Sequence, residues 1–212
     1  MRQPLDPQTY DEPIFDALIT ARERFGDKEI LEDQDRHPLT YTGLIRAAFV
    51  LGRKIAGMTE AEERVAVLLP SSSGVVVTFF ALHAFARVPV MLNFTAGEAN
   101  LKAAIKTAGV KKILSAKRFI QQAKLDELVE QLKAVAEIVW LDDVRASIKL
   151  PDKLYGLTAG AAPRPAGIEA RVTPQGGQLI LTATGGPLSG DQAGADIGQV
   201  YFYPFDGGRI DH

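Results

Sequence analysis

The stretch from Arg64 to Gly97 constrains the fold most strongly, because its pattern predicts a strand, a turn, a helix and a second strand in that order. Residues 64–69 form a short run rich in Val and Leu, which is typical of a strand buried on both faces of a parallel sheet. Residues 75–86 are apolar on nearly every side, as expected for a helix packed between a sheet and other protein. Residues 88–92 predict the second strand. Together these elements predict one βαβ unit with parallel strands.

Helices and strands continue to alternate up to Ile148, which predicts an α/β fold with a doubly wound, mostly parallel sheet. Two amphipathic helices are predicted upstream, at 13–25 and 43–56. Further strands are predicted at 111–115 and 137–141, with helices between and after them. The side chains predicted to cap helix N-termini are Thr42, Thr95 and Asp142.

The composition changes near residue 159. No lysine follows Lys153, and residues 165–212 hold 10 of the 19 glycines. Three short strands separated by Gly-rich turns are predicted there, which favours antiparallel β structure over more α/β structure. About 45 residues of this kind would bury little core alone, so we expect them to be incomplete. They would then pack on the first domain or on another chain, or be poorly ordered. The predicted division is an α/β subdomain at 1–158, a linker at 159–167 and a Gly-rich β segment at 168–212.

Charge and composition exclude several classes of protein. The net charge is −2 and the sequence contains no basic stripe, so nucleic-acid binding is not expected. The absence of cysteine excludes a disulfide framework, a thiol nucleophile and Cys-ligated zinc. The N-terminus has no apolar signal region, and the apolar stretch 74–92 is interrupted by His83, Arg87 and Pro89. We therefore expect a buried helix followed by a strand there, rather than a membrane span.

Four blocks of sequence, in order, carry a resemblance to a known family: LTYTGLIRAAFVLGRKIAG, VAVLLPSSSGVVVTFFALHAFARVPVMLNFTAG, LKAAIKTAGVKKILSAKRFI and EIVWLDDVRASIKLPDKLYGL. Residues 10–164 resemble the opening part of adenylate-forming (AMP-binding) acyl-activating enzymes. VPVMLNFTAG and WLDDVRASI are most similar to the acyl-ACP synthetase portion of bacterial 2-acylglycerophosphoethanolamine acyltransferases (ACP, acyl-carrier protein). The resemblance implies ATP and Mg²⁺ as cofactors, with fatty acid and acyl-carrier protein as partners. It also implies a location in the cytoplasm or at the inner face of the bacterial inner membrane.

The family's phosphate-binding chemistry has no clear counterpart in this chain. The resemblance implies a Ser/Thr/Gly-rich loop that ends in a lysine, with backbone amides, hydroxyls and the lysine meeting the phosphates. The one candidate is 182–190, where Leu188 stands at the position of the lysine, and a Gly-rich turn is the simpler interpretation. No catalytic residue is therefore assigned. The chain is predicted to be inactive alone and to bind neither ATP nor Mg²⁺ tightly. The blocks GQLILTATGGPLSG and VYFYPFDGGRIDH resemble part of the periplasmic β-domain of membrane thiol:disulfide interchange proteins.

Two segments at predicted strand ends are candidate binding sites. The turn after the first parallel strand supplies hydroxyls and a helix N-terminus, both of which favour phosphate, although a simple capped turn also explains it. Its residues are Ser71, Ser72, Ser73 and Gly74. The segment after the second strand would line an acyl or nucleotide pocket, or only cap the next helix. Its residues are Asn93, Phe94, Thr95 and Gly97.

Other polar residues have structural interpretations that we prefer. His83 is predicted to be a packed histidine rather than a base, and Asp142 with Asp143 a helix cap rather than a metal pair. No metal site is expected. Lysines at 111, 112 and 117 with Arg118 are predicted to form a basic cluster, either solvated or facing an acidic carrier protein.

Two hypotheses of function follow, besides self-association through surface left exposed by a missing partner segment. The first is a fragment of an AMP-forming fatty-acid-activating ligase. The alternative is a non-catalytic, Rossmann-like module that binds a nucleotide or a protein.

Overall fold

The computed structural model describes residues 13–32, 38–161, 168–175, 178–185 and 197–201. The helices are α1 Ile14–Phe25, α2 Tyr41–Ala56, α3 Ser73–Ala84, α4 Glu98–Thr107, α5 Lys117–Ala123, α6 Asp126–Lys133, α7 Leu141–Ala146 and α8 Leu150–Ala161. The strands are β1 Glu29–Leu31, β2 Leu39–Thr40, β3 Arg64–Leu68, β4 Val88–Met91, β5 Lys112–Ser115, β6 Glu137–Trp140, β7 Ile168–Gln175, β8 Gln178–Gly185 and β9 Ile197–Tyr201.

Four parallel strands form the main sheet in the order β4-β3-β5-β6. Strand β3 pairs with β4 on one side and with β5 on the other, so it lies inside the sheet. Helix α3 connects β3 to β4, which confirms the predicted βαβ unit. The predicted fold class, an α/β fold built on a mostly parallel sheet, is therefore confirmed.

The side chains of β3 alternate between two hydrophobic cores. Val65 and Val67 belong to a core with α1, α2, α3 and α7, whereas Ala66 and Leu68 belong to a core with α4, α5 and α6. All four residues are at most 1% exposed, as a strand covered on both faces requires. The sheet is therefore doubly wound, with helices on both of its faces.

The connections that leave β3 and β5 turn to opposite faces of the sheet. Strand β3 leads into α3 on the first face, and β5 leads into α5 on the second. Because β3 and β5 are neighbours, their carboxyl ends flank a topological switch point. In open α/β sheets a crevice for ligands forms at this point.

Strand β4 lies at one edge of the sheet, and Pro89 faces the open side of that edge. The backbone N–H groups of Val88 and Leu92 donate to carbonyls of the chain at β3, 3.0 Å away in each case. Alternation along a parallel strand therefore turns the nitrogen of Pro89 away from β3. A proline at this position costs the sheet no hydrogen bond.

Helix α2 packs chiefly against α3 and α8, and glycine makes both contacts close. A Cβ atom on Gly52 would lie only 2.6 Å from the carbonyl oxygen of Ala81 in α3. On the other side, a Cβ on Gly156 would lie 2.3 Å from a methyl group of Val50. The absence of side chains on both glycines therefore sets the distances between these helices.

A buried arginine at the amino end of β4 ties three chain segments together. The Arg87 guanidinium donates to the carbonyl oxygens of Ala56, Thr59 and Phe85 and to the Thr59 hydroxyl. Burial lowers the pKa of Arg87 from its ordinary value, and the charge of Glu63 partly opposes that shift. Arg87, one of the three residues that interrupt the apolar stretch 74–92, therefore joins the end of α2 to the loop before β3.

The predicted helix caps are wrong in three places. The Thr40 hydroxyl accepts from the backbone N–H of Gly43 and caps α2, while Thr42 donates its own N–H to Asp27. Helix α4 begins after Gly97, so Thr95 is not its cap. Helix α7 begins after Trp140, so Asp142 lies in its first turn instead.

Asp142 caps a different helix from the one predicted. Its carboxylate accepts a 2.8 Å hydrogen bond from the backbone N–H of Lys117, the first residue of α5. The neighbouring Asp143 pairs with the Lys117 ammonium at the surface. Asp142, which lies in α7, therefore accepts from a backbone N–H at the start of α5 that has no partner within its own helix.

Helix α8 was not predicted, and it includes 159–161 of the predicted linker. The rest of that linker, 162–167, lies outside the described residues. Strands β7, β8 and β9 form an antiparallel sheet, as the Gly-rich segment predicts. The division of the chain into two domains remains a prediction.

None of the described helices has the length and hydropathy needed to cross a bilayer. The apolar stretch 74–92 forms α3 and β4 instead.

We expect Gly52→Ala to lower the free energy of unfolding by about 2 kcal/mol, because the new methyl group would overlap the Ala81 carbonyl of α3. Gly57→Ala is the matched control, since Gly57 has an ordinary helical φ of −71° and its nearest atom is 3.4 Å away. The control should change stability by no more than about 0.5 kcal/mol. Equal effects in urea unfolding would show that α2 and α3 are not in close contact at Gly52.

We expect Asp142→Ala to cost about 1 kcal/mol of stability, because the N–H of Lys117 loses its acceptor. Asp143→Ala, which removes only an exposed ion pair, should cost less than about 0.5 kcal/mol. Thermal unfolding of both variants measures the difference. A larger loss for Asp143→Ala would contradict the assignment of Asp142 as the cap of α5.

Burial of its side chain lowers the pKa of His83 from 6.5 to about 4, which makes stability depend on pH. Below pH 6.5 the unfolded chain binds a proton at His83 that the folded chain does not bind, so stability falls as the pH drops from 6.5 towards 4. The slope due to this group is at most about 1.4 kcal/mol per pH unit. His83→Gln should remove that component between pH 6.5 and 5. An unchanged slope, or an NMR titration of His83 near pH 6.5, would contradict the prediction.

Candidate functional site

The carboxyl ends of the four parallel strands meet at one edge of the sheet. By register, Leu68 of β3 pairs with Ser115 of β5, which pairs with Trp140 of β6. The Ser115 hydroxyl is fully buried and donates a 2.8 Å hydrogen bond to the Leu68 carbonyl. This bond joins β3 to β5 at the switch point. Sequence analysis did not select Ser115, although a polar residue at the end of an apolar strand was a usable signal.

The turn of four candidate residues after β3 lies directly at this switch point. Ser72 is the N-cap of α3 with an extended backbone, and its hydroxyl does not bond to the first amides of the helix. Ser71 and Gly74 are exposed, and Ser72 and Ser73 are half-buried. The α3 N-terminus carries partial positive charge, so a phosphate or carboxylate group can bind here through backbone and hydroxyl donors. The structure describes this geometry, and binding itself remains a prediction.

The second candidate segment, after β4, uses its polar groups locally. The Asn93 carboxamide oxygen accepts from the backbone N–H of Thr95 at 3.0 Å and from the Thr95 hydroxyl at 2.8 Å. The Phe94 ring packs edge-on against Phe119, with 5.3 Å between ring centroids. Gly97 adopts a φ of +84°, a conformation that favours glycine. These contacts explain the segment as a 3₁₀ turn before α4, and its role in binding a substrate stays a prediction.

The two candidate segments follow neighbouring strands. Val67 of β3 pairs with Met91 of β4, so both chains leave the sheet at the same edge. A ligand held at the α3 N-terminus would therefore have the Asn93–Thr95 turn on its β4 side and the start of α5 on its β5 side.

The predicted basic cluster is wrong, because β5 separates its members. Lys112 lies at the amino end of β5, where it is 3.9 Å from Glu63 and 3.8 Å from Glu137. Lys117 follows the carboxyl end, with about 13 Å of strand between them. At the site edge the ammonium of Lys117 already pairs with Asp143.

His83 and the acidic pair do not add catalytic groups to this edge. Helix α3 begins at the carboxyl edge and runs back across the sheet, so His83 in its last turn lies towards the opposite edge. Its ring contacts Phe79, with centroids 4.5 Å apart, which agrees with the interpretation as a packed histidine. Asp142 and Asp143 are both bound to Lys117, and the described residues contain no group of three acidic or histidine side chains that suits a metal ion.

Solved structures of VinN and of a coenzyme A synthetase share this fold. VinN in complex with 3-methylaspartate matches with a TM-score of 0.60 and 18% identity, over 83% of this chain and 48% of VinN. O-succinylbenzoate coenzyme A synthetase (MenE) from Bacillus subtilis in complex with AMP matches with a TM-score of 0.54 and 14% identity. That match covers 64% of this chain and 33% of the synthetase. The same synthetase with ATP and magnesium ion matches with a TM-score of 0.53 and 14% identity, over 63% of this chain and 34% of the synthetase.

The chain spans less than half the length of these solved enzymes. At such low identities the structures establish the shared fold and not a shared substrate. The sequence profile of the family described as AMP-binding enzyme, however, matches residues 19–169 of the 212. The chain therefore belongs to the AMP-binding enzyme family.

Proposed function

We propose that this chain forms the N-terminal α/β part of an AMP-forming ligase that activates a fatty acid and delivers it to acyl-carrier protein. Family membership through residues 19–169 is the observation that carries the ligase class. The fatty acid and the carrier protein rest on the similarity of VPVMLNFTAG and WLDDVRASI to acyl-ACP synthetases. Such an enzyme would work in the cytoplasm or at the inner face of the bacterial inner membrane.

In the proposed reaction a carboxylate oxygen attacks the α-phosphorus of ATP, and the bond to pyrophosphate breaks. The product is an acyl-adenylate, from which the carrier-protein thiol takes the acyl group and releases AMP. In this chain, Ser71–Gly74 and the α3 N-terminus would bind a phosphate oxygen of the nucleotide. The Asn93–Gly97 turn would border the bound acid on the β4 side.

The described residues do not fit a magnesium site. Mg²⁺ prefers carboxylate, phosphate and water oxygens in octahedral geometry. The carboxylates at the start of α5, Asp142 and Asp143, are bound to Lys117. We therefore assign no step to a metal held by this chain.

We expect the isolated chain not to catalyse adenylation, because its one candidate phosphate loop is unsuitable. Residues 182–185 belong to strand β8 and pair with β7 in an antiparallel ladder. Their backbone therefore forms sheet hydrogen bonds rather than a phosphate-binding loop. The remainder of that loop lies outside the described residues. Leu188 occupies the position of the phosphate-binding lysine, and no lysine follows Lys153 in the sequence.

The alternative function is a binding module without catalysis, favoured by the partly exposed α3 N-terminus at a topological switch point. It predicts nucleotide binding by the isolated chain, whereas the ligase-fragment proposal predicts no tight binding of ATP or AMP. The chain would then act by holding a nucleotide or a protein partner at this edge.

Exchange of labelled pyrophosphate into ATP, with a fatty acid present, tests the predicted inactivity. We expect no exchange above the protein-free rate, since the loop lysine that would meet the transferred phosphates is absent. A complete acyl-ACP synthetase assayed in parallel is the positive control. Turnover by the purified chain would contradict the prediction.

Calorimetry with ATP, AMP and acyl-carrier protein distinguishes the two functions. If the chain is a binding module, Ser72→Glu should abolish nucleotide binding, because it puts a negative charge at the α3 N-terminus where the phosphate would bind. Thr107→Glu, at the end of α4 towards the opposite edge of the sheet, is the matched control and should bind like the wild type. Absence of heat with every ligand would exclude the binding module, and equal loss in both variants would remove Ser72 from the site.

A further inference from the structure

Helix α8 exposes a row of leucines on one side. Leu150, Leu154 and Leu157 are 69%, 53% and 48% exposed, and their spacing puts them along one stripe of the helix. Another side of α8 packs on α2 through Gly156 and Gly160. The leucine stripe is thus a ridge that contributes nothing to the packing of the described core.

The surroundings of this stripe are basic. Arg145, Lys149 and Lys153 are exposed and form no ion pair within the described part of the chain. The acid of the helix, Asp152, is buried, and the hydrogen bond from Lys54 holds its pKa below the ordinary value. Positive charge therefore flanks the leucines, on a chain whose net charge is −2.

The other charged groups near α8 do not offset the positive charge beside the leucines. On α2, Arg53 stacks on the ring of Tyr155 and approaches Asp152. On α7, Asp143 pairs with Lys117, and Asp142 caps α5.

The combination of apolar ridge and positive flank indicates the chemistry of the partner. A symmetric contact between two copies would join two surfaces of the same positive sign, because Lys149 and Lys153 flank the stripe in both copies, which is unfavourable. A protein partner would need a groove to accept the ridge, whereas a bilayer deforms around it. At 12 residues, about 18 Å, the helix suits the plane of a membrane surface.

We propose that α8 binds the surface of an anionic lipid bilayer. Leu150, Leu154 and Leu157 enter the boundary between headgroups and acyl chains, and Lys149 and Lys153 contact lipid phosphates. This inference goes beyond the ligase proposal and does not depend on it, because it concerns the outer side of α8 and not the carboxyl edge of the sheet.

Sedimentation of the full chain with vesicles tests the proposal. We expect binding to phosphatidylcholine vesicles that contain one third phosphatidylglycerol, and much weaker binding to pure phosphatidylcholine. Raising the salt concentration should weaken binding to the anionic vesicles, because screening reduces the lysine contribution.

Two double variants separate the apolar and the charged contributions. Leu154→Gln with Leu157→Gln should weaken partitioning into anionic vesicles by about tenfold or more. Lys149→Gln with Lys153→Gln should weaken it by about fivefold per lysine. Met91→Gln, at an equally exposed apolar residue on β4, is the control and should bind like the wild type. Circular dichroism and thermal unfolding verify that each variant is folded.

Absence of binding to anionic vesicles would overturn the proposal, as would a leucine variant that binds as well as the wild type. If ultracentrifugation shows self-association that the leucine variant abolishes, the stripe is an interface between copies and the proposal is wrong. It is also wrong if the leucine variant loses binding to acyl-carrier protein while its vesicle binding is unchanged.

Discussion

The structure depends on a single strand, β3, being buried on both faces. Its side chains alternate between two cores, so helices must cover the sheet on both sides, and a parallel arrangement with crossover helices follows. The same arrangement determines where a ligand can bind. Since the chain leaves β3 and β5 towards opposite faces, their carboxyl ends leave a crevice between them, and every candidate residue that follows β3 lies there.

The sequence predicted the sheet and most helices correctly because their signals are local: short apolar runs, helical periodicity and terminal glycines. Caps were predicted poorly because they depend on tertiary contacts. Asp27, which precedes β1, accepts from a backbone N–H at the start of α2, and Asp142 of α7 accepts from one at the start of α5. Helix α8 was missed, and its last three residues were assigned to a linker because Ala and Gly are typical of linkers. In the structure Gly156 and Gly160 allow close packing on α2.

The location of the candidate site was predictable, but its chemistry was not. Residues that follow parallel strands must gather at one edge, and the segments that contain Ser71 and Asn93 do leave the sheet at the same edge. Their hydrogen bonds were not predictable. In the structure the Asn93 side chain accepts a hydrogen bond from the backbone N–H of Thr95. Lys117 was assigned to a cluster from which a whole strand separates it, since proximity in sequence does not measure distance along an extended chain.

Pro89 has a consequence for how this sheet can be enlarged. A further strand beside β4 would meet a position with no N–H to donate, so the ladder would lack a rung there. At the other edge, Ile138 and Trp140 turn backbone amides away from β5, and neither is a proline. Recruitment of additional strands is therefore directional: the chain resists extension past β4 and permits it past β6.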